Sequence, residues 1–294
     1  MDPRHNSTTD LSESVLLLKK EVDALQIAVM SQKTSWYKNP ATIISILALL
    51  FSFGTTAVSY VRTYEQDKQN RRAELRGLLE RLSNISKETV EIPKKYPNDP
   101  VTIGLLSGNL NQENALLSRQ AAEIAKKLPK DSVSATEYYF IGWALQSSYN
   151  LQGAKEFYGY AIGAATDFND KIAALRANAI LLFNTGQAEA GRNEYRKALE
   201  IFSTFPGYDD YTKKTTNILT EINWAFSEAT LGLKEQANQH LVTAENYAST
   251  LNPSPGADQM KGQIENAKRQ INGATTPINQ WSAEGLPKLP EAIK

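Results

Sequence analysis

Between Ala41 and Val61 the chain reads ATIISILALLFSFGTTAVSYV, 21 residues without a charge. At about 1.5 Å per residue, a helix of this length covers roughly 31 Å, the thickness of a bilayer's hydrocarbon core. Trp36 and Tyr37 precede the run and Tyr60 and Tyr64 close it, the placement of an aromatic belt at two interfaces. The pattern predicts a transmembrane helix over residues 40–62. A buried core helix of this length would carry a polar face, and a cleaved signal sequence would begin its apolar run nearer the N-terminus.

The flanks carry two further periodicities. In the tail, residues 1–39, Leu11, Val15, Leu18, Val22, Leu25 and Val29 alternate at spacings of four and three, a short heptad seam of the kind that favours parallel two-stranded coiled coils. Within the span Ser45, Ala48, Ser52, Thr55 and Ser59 form a stripe of small residues that lets two helices approach in lipid. Together they predict a parallel homodimer. After the span, residues 63–92 hold Leu75, Leu78, Leu82 and Ile85 on one face amid alternating charges, which predicts a helical stalk ending before Pro93, Pro97 and Pro100.

From residue 97 to 272 apolar residues recur every three or four positions, and no stretch alternates with period two. Proline is absent between Pro129 and Pro206 and between Pro206 and Pro253. The fold class is therefore all-α, with breaks at those prolines. Internal similarity sharpens this. Tyr138, Ile141, Gly142, Leu145, Ala154, Tyr158 and Ala161 are spaced 3, 1, 3, 9, 4 and 3. Leu175, Asn178, Ala179, Leu182, Gly191, Tyr195 and Ala198 repeat those spacings, as do Glu221, Trp224, Ala225, Glu228, Ala237, Leu241 and Ala244. Each set reads as a helical hairpin in which small residues let two helices meet. Gly186 and Gly232 fall at the turns, where a positive φ is needed. Gly159 and Gly163 read as a further close helix contact.

The pattern resembles the tetratricopeptide repeat (TPR) family over about Ser134 to Asn252, with a degenerate hairpin expected over Pro100 to Leu128. The third set departs from it at Glu221 and Glu228, and the intervals from Ala161 to Ala198 and Ala198 to Ala244 are 37 and 46 residues rather than the family's uniform repeat. The longer interval contains Phe205 to Tyr211, read as an exposed insertion. A generic helical solenoid or bundle is the alternative. The resemblance implies a helical-hairpin solenoid, capped by a helix around Asp258 to Ile271, whose concave face binds an extended peptide or a partner helix. It would place Tyr139, Trp143, Arg176, Ile180, Phe183, Ile222 and Phe226 on or near that face; the alternative is that these side chains pack against the next hairpin. Only Arg176 and Asn184 fit the subgroup that clamps carboxylates, so an apolar or aromatic ligand segment is expected. The tail, residues 273–294, carries Pro277, Pro287, Pro290 and Trp281. It is expected to be flexible unless Trp281 docks on the repeats, or else to serve as a linear motif for another protein.

Composition mostly excludes. The 294 residues hold 32 Lys+Arg and 32 Asp+Glu, no cysteine and two histidines, His5 and His240. Thiol chemistry, zinc-thiolate clusters and a histidine metal cage lack raw material, and zero net charge argues against a nucleic-acid partner. The mean hydropathy of −0.42 conceals the apolar run. Within about twenty residues of the span, Lys33 and Lys38 precede it, whereas Arg62, Lys68, Arg71, Arg72, Arg76 and Arg81 follow. Two against six places the C-terminal domain in the cytoplasm. No phosphate loop, dinucleotide fingerprint or metalloprotease motif is present, no cofactor is implied, and Asp209, Asp210, Glu221 and Glu228 read as solvated carboxylates. The expected function is a membrane-anchored scaffold or adaptor that recruits a protein or peptide partner. The alternative is a membrane sensor or effector regulated by its repeats.

Overall fold

The computed structural model describes residues 16–17, 19–27 and 40–273. Most of the heptad seam, the Trp36–Tyr37 pair and the tail bearing Trp281 lie outside them. Residues 19–27 are helical, with Val22 and Leu25 exposed. Among the described residues the chain is all-α, with no strand. It divides between Asp67 and Lys68 into two compact units.

The first unit is dominated by the start of helix α1 (Pro40–Lys95). This helix is long and apolar enough to cross a membrane: an 18-residue window has mean hydropathy 1.8 and none of it is buried. Its hydroxyls are turned onto its own backbone. Ser45 Oγ donates to the Ala41 carbonyl at 2.9 Å, Thr55 and Thr56 both donate to that of Ser52, and Thr63 donates to that of Ser59. A hydroxyl satisfied in this way loses less on entering hydrocarbon than a free one.

The second unit begins within α1. Leu75, Leu82 and Ile85 are buried in the same core as Ala121, Ala122 and Ala125 of α2 (Pro100–Lys127). Arg81 bonds Glu113 of α2 through Nε and Nη2 at 2.7 and 2.8 Å, and Arg72 reaches Glu137 at 2.9 Å. The segment read as a stalk thus contributes core side chains. Two boundaries differ from the sequence reading. Pro93 sits inside α1, in its last turn, where it forfeits one backbone bond and the helix runs on to Lys95. The expected hairpin over 100–128 is one unbroken helix, because nothing interior stops it: Gly104 and Gly108 are its weakest positions and neither lies at a turn. Asp99 caps α2 by accepting from the Thr102 amide at 3.0 Å, with Pro100 at the first helical position.

Beyond a short 3₁₀ turn at Lys130–Ser132 come α3 (Ala135–Ser147) and α4 (Leu151–Ala164), then α5 (Phe168–Asn184) and α6 (Ala188–Leu199). A single turn α7 (Ile201–Thr204) leads to α8 (Asp210–Thr230), α9 (Lys234–Ser249) and α10 (Pro255–Gly273). The pairs α3/α4, α5/α6 and α8/α9 pack as hairpins, α4 meets α5, α5 and α6 meet α8, and α10 covers α9. All residues of the three repeated sets are buried except Asn178. A Cβ added at Gly142 would lie 2.8 Å from the Tyr158 ring, and one at Gly191 would lie 2.5 Å from the Phe183 ring and 3.0 Å from the Ala179 carbonyl. Gly159 and Gly163 face open space instead, so they mark no close contact. The expected exposed insertion is pinned: Tyr208 packs against Phe168 with centroids 4.2 Å apart, and Phe202 and Phe205 join them. Burying these rings offsets the disorder the polar flanks suggested.

All three hairpins close through one turn. The amides of Asn150, Gln187 and Leu233 donate to the carbonyls of Leu145, Leu182 and Glu228 at 2.8, 2.8 and 3.1 Å. The residue before each donor is left-handed: Tyr149 at φ 60°, Gly186 at 74° and Gly232 at 76°. Two glycines meet the demand without strain. Tyr149 meets it with a side chain that is 86% exposed and so earns little packing in return. Tyr149→Gly is therefore expected to stabilise the second unit by about 0.5–1 kcal/mol, read as a rise in the denaturation midpoint of the detergent-solubilised protein. A fall would mean that the tyrosine side chain makes contacts worth more than the strain.

Candidate functional site

Two features of the second unit stand apart from an apolar core: the side chains along the first helix of each hairpin, and a charged seam between the second and third hairpins.

The residues assigned to a concave face fall into three clusters. Tyr139 and Trp143 lie on α3, with Tyr139 5.8 Å from the Tyr158 ring and Trp143 stacked 5.7 Å from Phe140. Burial pushes the Tyr139 hydroxyl above the usual tyrosine range. On α5, Ile180 is partly buried and Phe183 fully so, packed on Tyr195 beneath the Arg192 guanidinium. On α8, Ile222 is buried and Phe226 partly buried in the core shared with α9 and α10. Tyr139, Trp143, Arg176, Ile180 and Phe226 therefore keep some exposed surface, while Phe183 and Ile222 are core.

The seam is what sequence reasoning missed. Glu221 and Glu228, read as solvated, are buried, with 4% and 2% exposure. Arg192 of α6 grips Glu228 in a two-pronged pair, Nε to Oε1 and Nη2 to Oε2, both at 2.8 Å. Trp224 Nε1 donates to the same Oε1 at 2.9 Å. His240 of α9 stacks on Trp224 with centroids 4.1 Å apart, and its Nδ1 lies 2.6 Å from Glu221 Oε2. Tyr195 of α6 shares a 2.8 Å hydrogen bond with Ser227 and reaches the Asn223 carbonyl at 3.1 Å. Burial pushes the Glu228 carboxyl upward, but hydrogen bonds from Arg192 and Trp224 and the Arg192 charge outweigh it and hold it below the usual carboxylate range. Burial drives the Tyr195 phenol well up, so it stays neutral. The available signal was the coincidence of Glu221 and Glu228 with positions that are apolar in the other two hairpins, together with Arg192 one residue after Gly191.

Arg176 of α5 completes the junction differently. Its Nε and Nη2 donate to Thr220 Oγ1 at 3.0 and 2.7 Å, and Nη2 also to the Thr216 carbonyl at 2.6 Å. Burial lowers its pKa to about 10, leaving it charged at neutral pH. Across the seam the carboxylates and the imidazole are taken up by protein partners, and among the described residues no group of three or more His, Asp or Glu is placed to hold a metal ion. The arrangement clamps one hairpin to the next. Comparison of the chain with protein families, curated proteins and solved structures gave no match.

Proposed function

We propose that the chain is a single-pass membrane protein, a parallel homodimer through its N-terminal seam and small-residue stripe, that displays a TPR-like hairpin array in the cytoplasm and recruits a protein or peptide partner. One observation carries the reading. Trp143, Ile180 and Phe226 occupy the same position in three successive hairpins, one residue after Gly142, Ala179 and Ala225, and each large apolar side chain retains exposed surface. A repeated, half-covered apolar position is what an extended or helical ligand segment would cover. The wholly exposed apolar stretch of α1 supports the membrane anchor, and the basic excess after it supports the orientation.

The test is a pull-down from detergent-solubilised membranes with the full chain, Trp143→Ala, and a truncation after Gly273. A partner retained by the full chain and lost from Trp143→Ala, with helical circular dichroism unchanged, is the expected result; an identical partner set for both would remove the face from consideration. Loss on truncation alone would assign recruitment to the tail. Protease added outside intact cells is expected to spare the C-terminal domain, and its digestion would reverse the orientation.

A further inference from the structure

Four arginines of the second unit join one helix to another. Arg72, Arg81 and Arg192 each do so by holding a carboxylate of the neighbouring helix. Arg176 does not: its acceptors on α8 are a hydroxyl and a backbone carbonyl, both uncharged. The two N–H groups of its Nη1 have no partner among the described residues, and no carboxylate there reaches the guanidinium. The ionisable group that acts on it is the phenol of Tyr195, neutral and buried. A cation held where burial disfavours charge, with donors left over and some surface open to solvent, is a receptor for an anion.

The surroundings define which anion. Ile180 follows Arg176 by four residues on α5, so its apolar side chain lies about 6 Å further along the same helix face. In an extended chain, residues i and i+2 point the same way about 6.6 Å apart. The two spacings agree, so a strand-like ligand can set one side chain on each. We propose that Arg176 receives the carboxylate of an Asp or Glu in an extended peptide partner whose apolar residue two positions away rests on Ile180. This refines the peptide-recruiting reading and rests on it.

The probe is a displayed library of random twelve-residue peptides selected on the full chain in lipid nanodiscs. The expected result is enrichment of an acidic residue two positions from an aliphatic or aromatic one. Arg176→Met should keep the apolar preference and lose the acidic one, and peptides selected on the wild type should bind it about tenfold or more weakly, as loss of a charge-assisted hydrogen bond predicts. Arg176→Lys, which keeps charge without the planar fork, should fall between. A measurement that needs no variant runs alongside: changing the peptide's Glu to Gln or Asp to Asn should weaken binding to the wild type by the same factor. Enrichment of apolar peptides without an acidic position, or an acidic preference indifferent to Arg176→Met and to the peptide amide, overturns the assignment while leaving peptide recruitment intact. No enrichment of any peptide overturns the recruiting reading itself.

Discussion

Arg192→Met is expected to destabilise the second unit by about 3–5 kcal/mol, whereas Arg176→Met is expected to be neutral or mildly stabilising. The two arginines lie on consecutive helices of one hairpin and both reach α8, yet they leave different things behind. Without Arg192, Glu228 is a buried carboxylate whose remaining side-chain partner is the Trp224 indole. Without Arg176, the acceptors stay satisfied, because Thr220 Oγ1 already donates to the Thr216 carbonyl at 2.9 Å, and a charge without a counter-ion disappears. Adding Glu228→Gln to Arg192→Met should recover most of the loss, since an amide removes the charge and still accepts from Trp224.

The pH dependence follows from the direction of the Glu228 shift. Its carboxyl is lowered in the folded protein, so the Arg192–Glu228 pair contributes fully above the ordinary carboxylate pKa of about 4.3 and is lost as pH falls through the lower folded value. In Arg192→Met the sign reverses, because burial then dominates and favours the protonated acid. The gap between wild type and variant should narrow on acidification from pH 7 to about pH 4. Denaturation midpoints of the detergent-solubilised protein across that range check both statements; a gap that is constant with pH would mean that Arg192 acts through packing over Phe183 rather than through charge.

A second large effect is expected in α1. Leu47 and Leu50 are exposed, and arginine at both sites should disfavour membrane insertion by about 5–7 kcal/mol on the insertion scale. Wild-type protein should remain in the membrane fraction after alkaline carbonate extraction, and the Leu47→Arg/Leu50→Arg variant should be released. Because none of this stretch is buried, the variant's helical unfolding transition should be unchanged. Retention of the double variant in the membrane would reject the span.

Much of the architecture was legible along the chain. The charge-free run became an exposed apolar helix, the repeated spacings became three helical hairpins, and the two turn glycines took the left-handed backbone that the turn requires. What was misjudged depended on neighbours distant in sequence. Leu75, Leu82 and Ile85 formed an apolar line that suits a free amphipathic stalk as well as a core helix, and only the alanines of α2 decide between them. Tyr149 escaped notice because the first hairpin fills with tyrosine the place its sister hairpins give to glycine. Gly142 and Gly191 are tight because Tyr158 and Phe183 lie over them, whereas Gly159 and Gly163 have no such neighbour. Of the candidate face, the residue types and register were readable, but the core burial of Phe183 and Ile222 was not.

The sequence by itself determined the helical class, the apolar stretch and the hairpin turns, because periodicity, proline and glycine act through the backbone of a few adjacent residues. The tertiary structure alone decided the character of the charges. Glu228 differs from a solvated glutamate only because Arg192, 36 residues earlier, is brought within 2.8 Å of it, and Arg176 is uncompensated only because α8 offers it hydroxyl and carbonyl oxygens. Desolvation and pairing are properties of the assembled surroundings, and no local pattern encodes them.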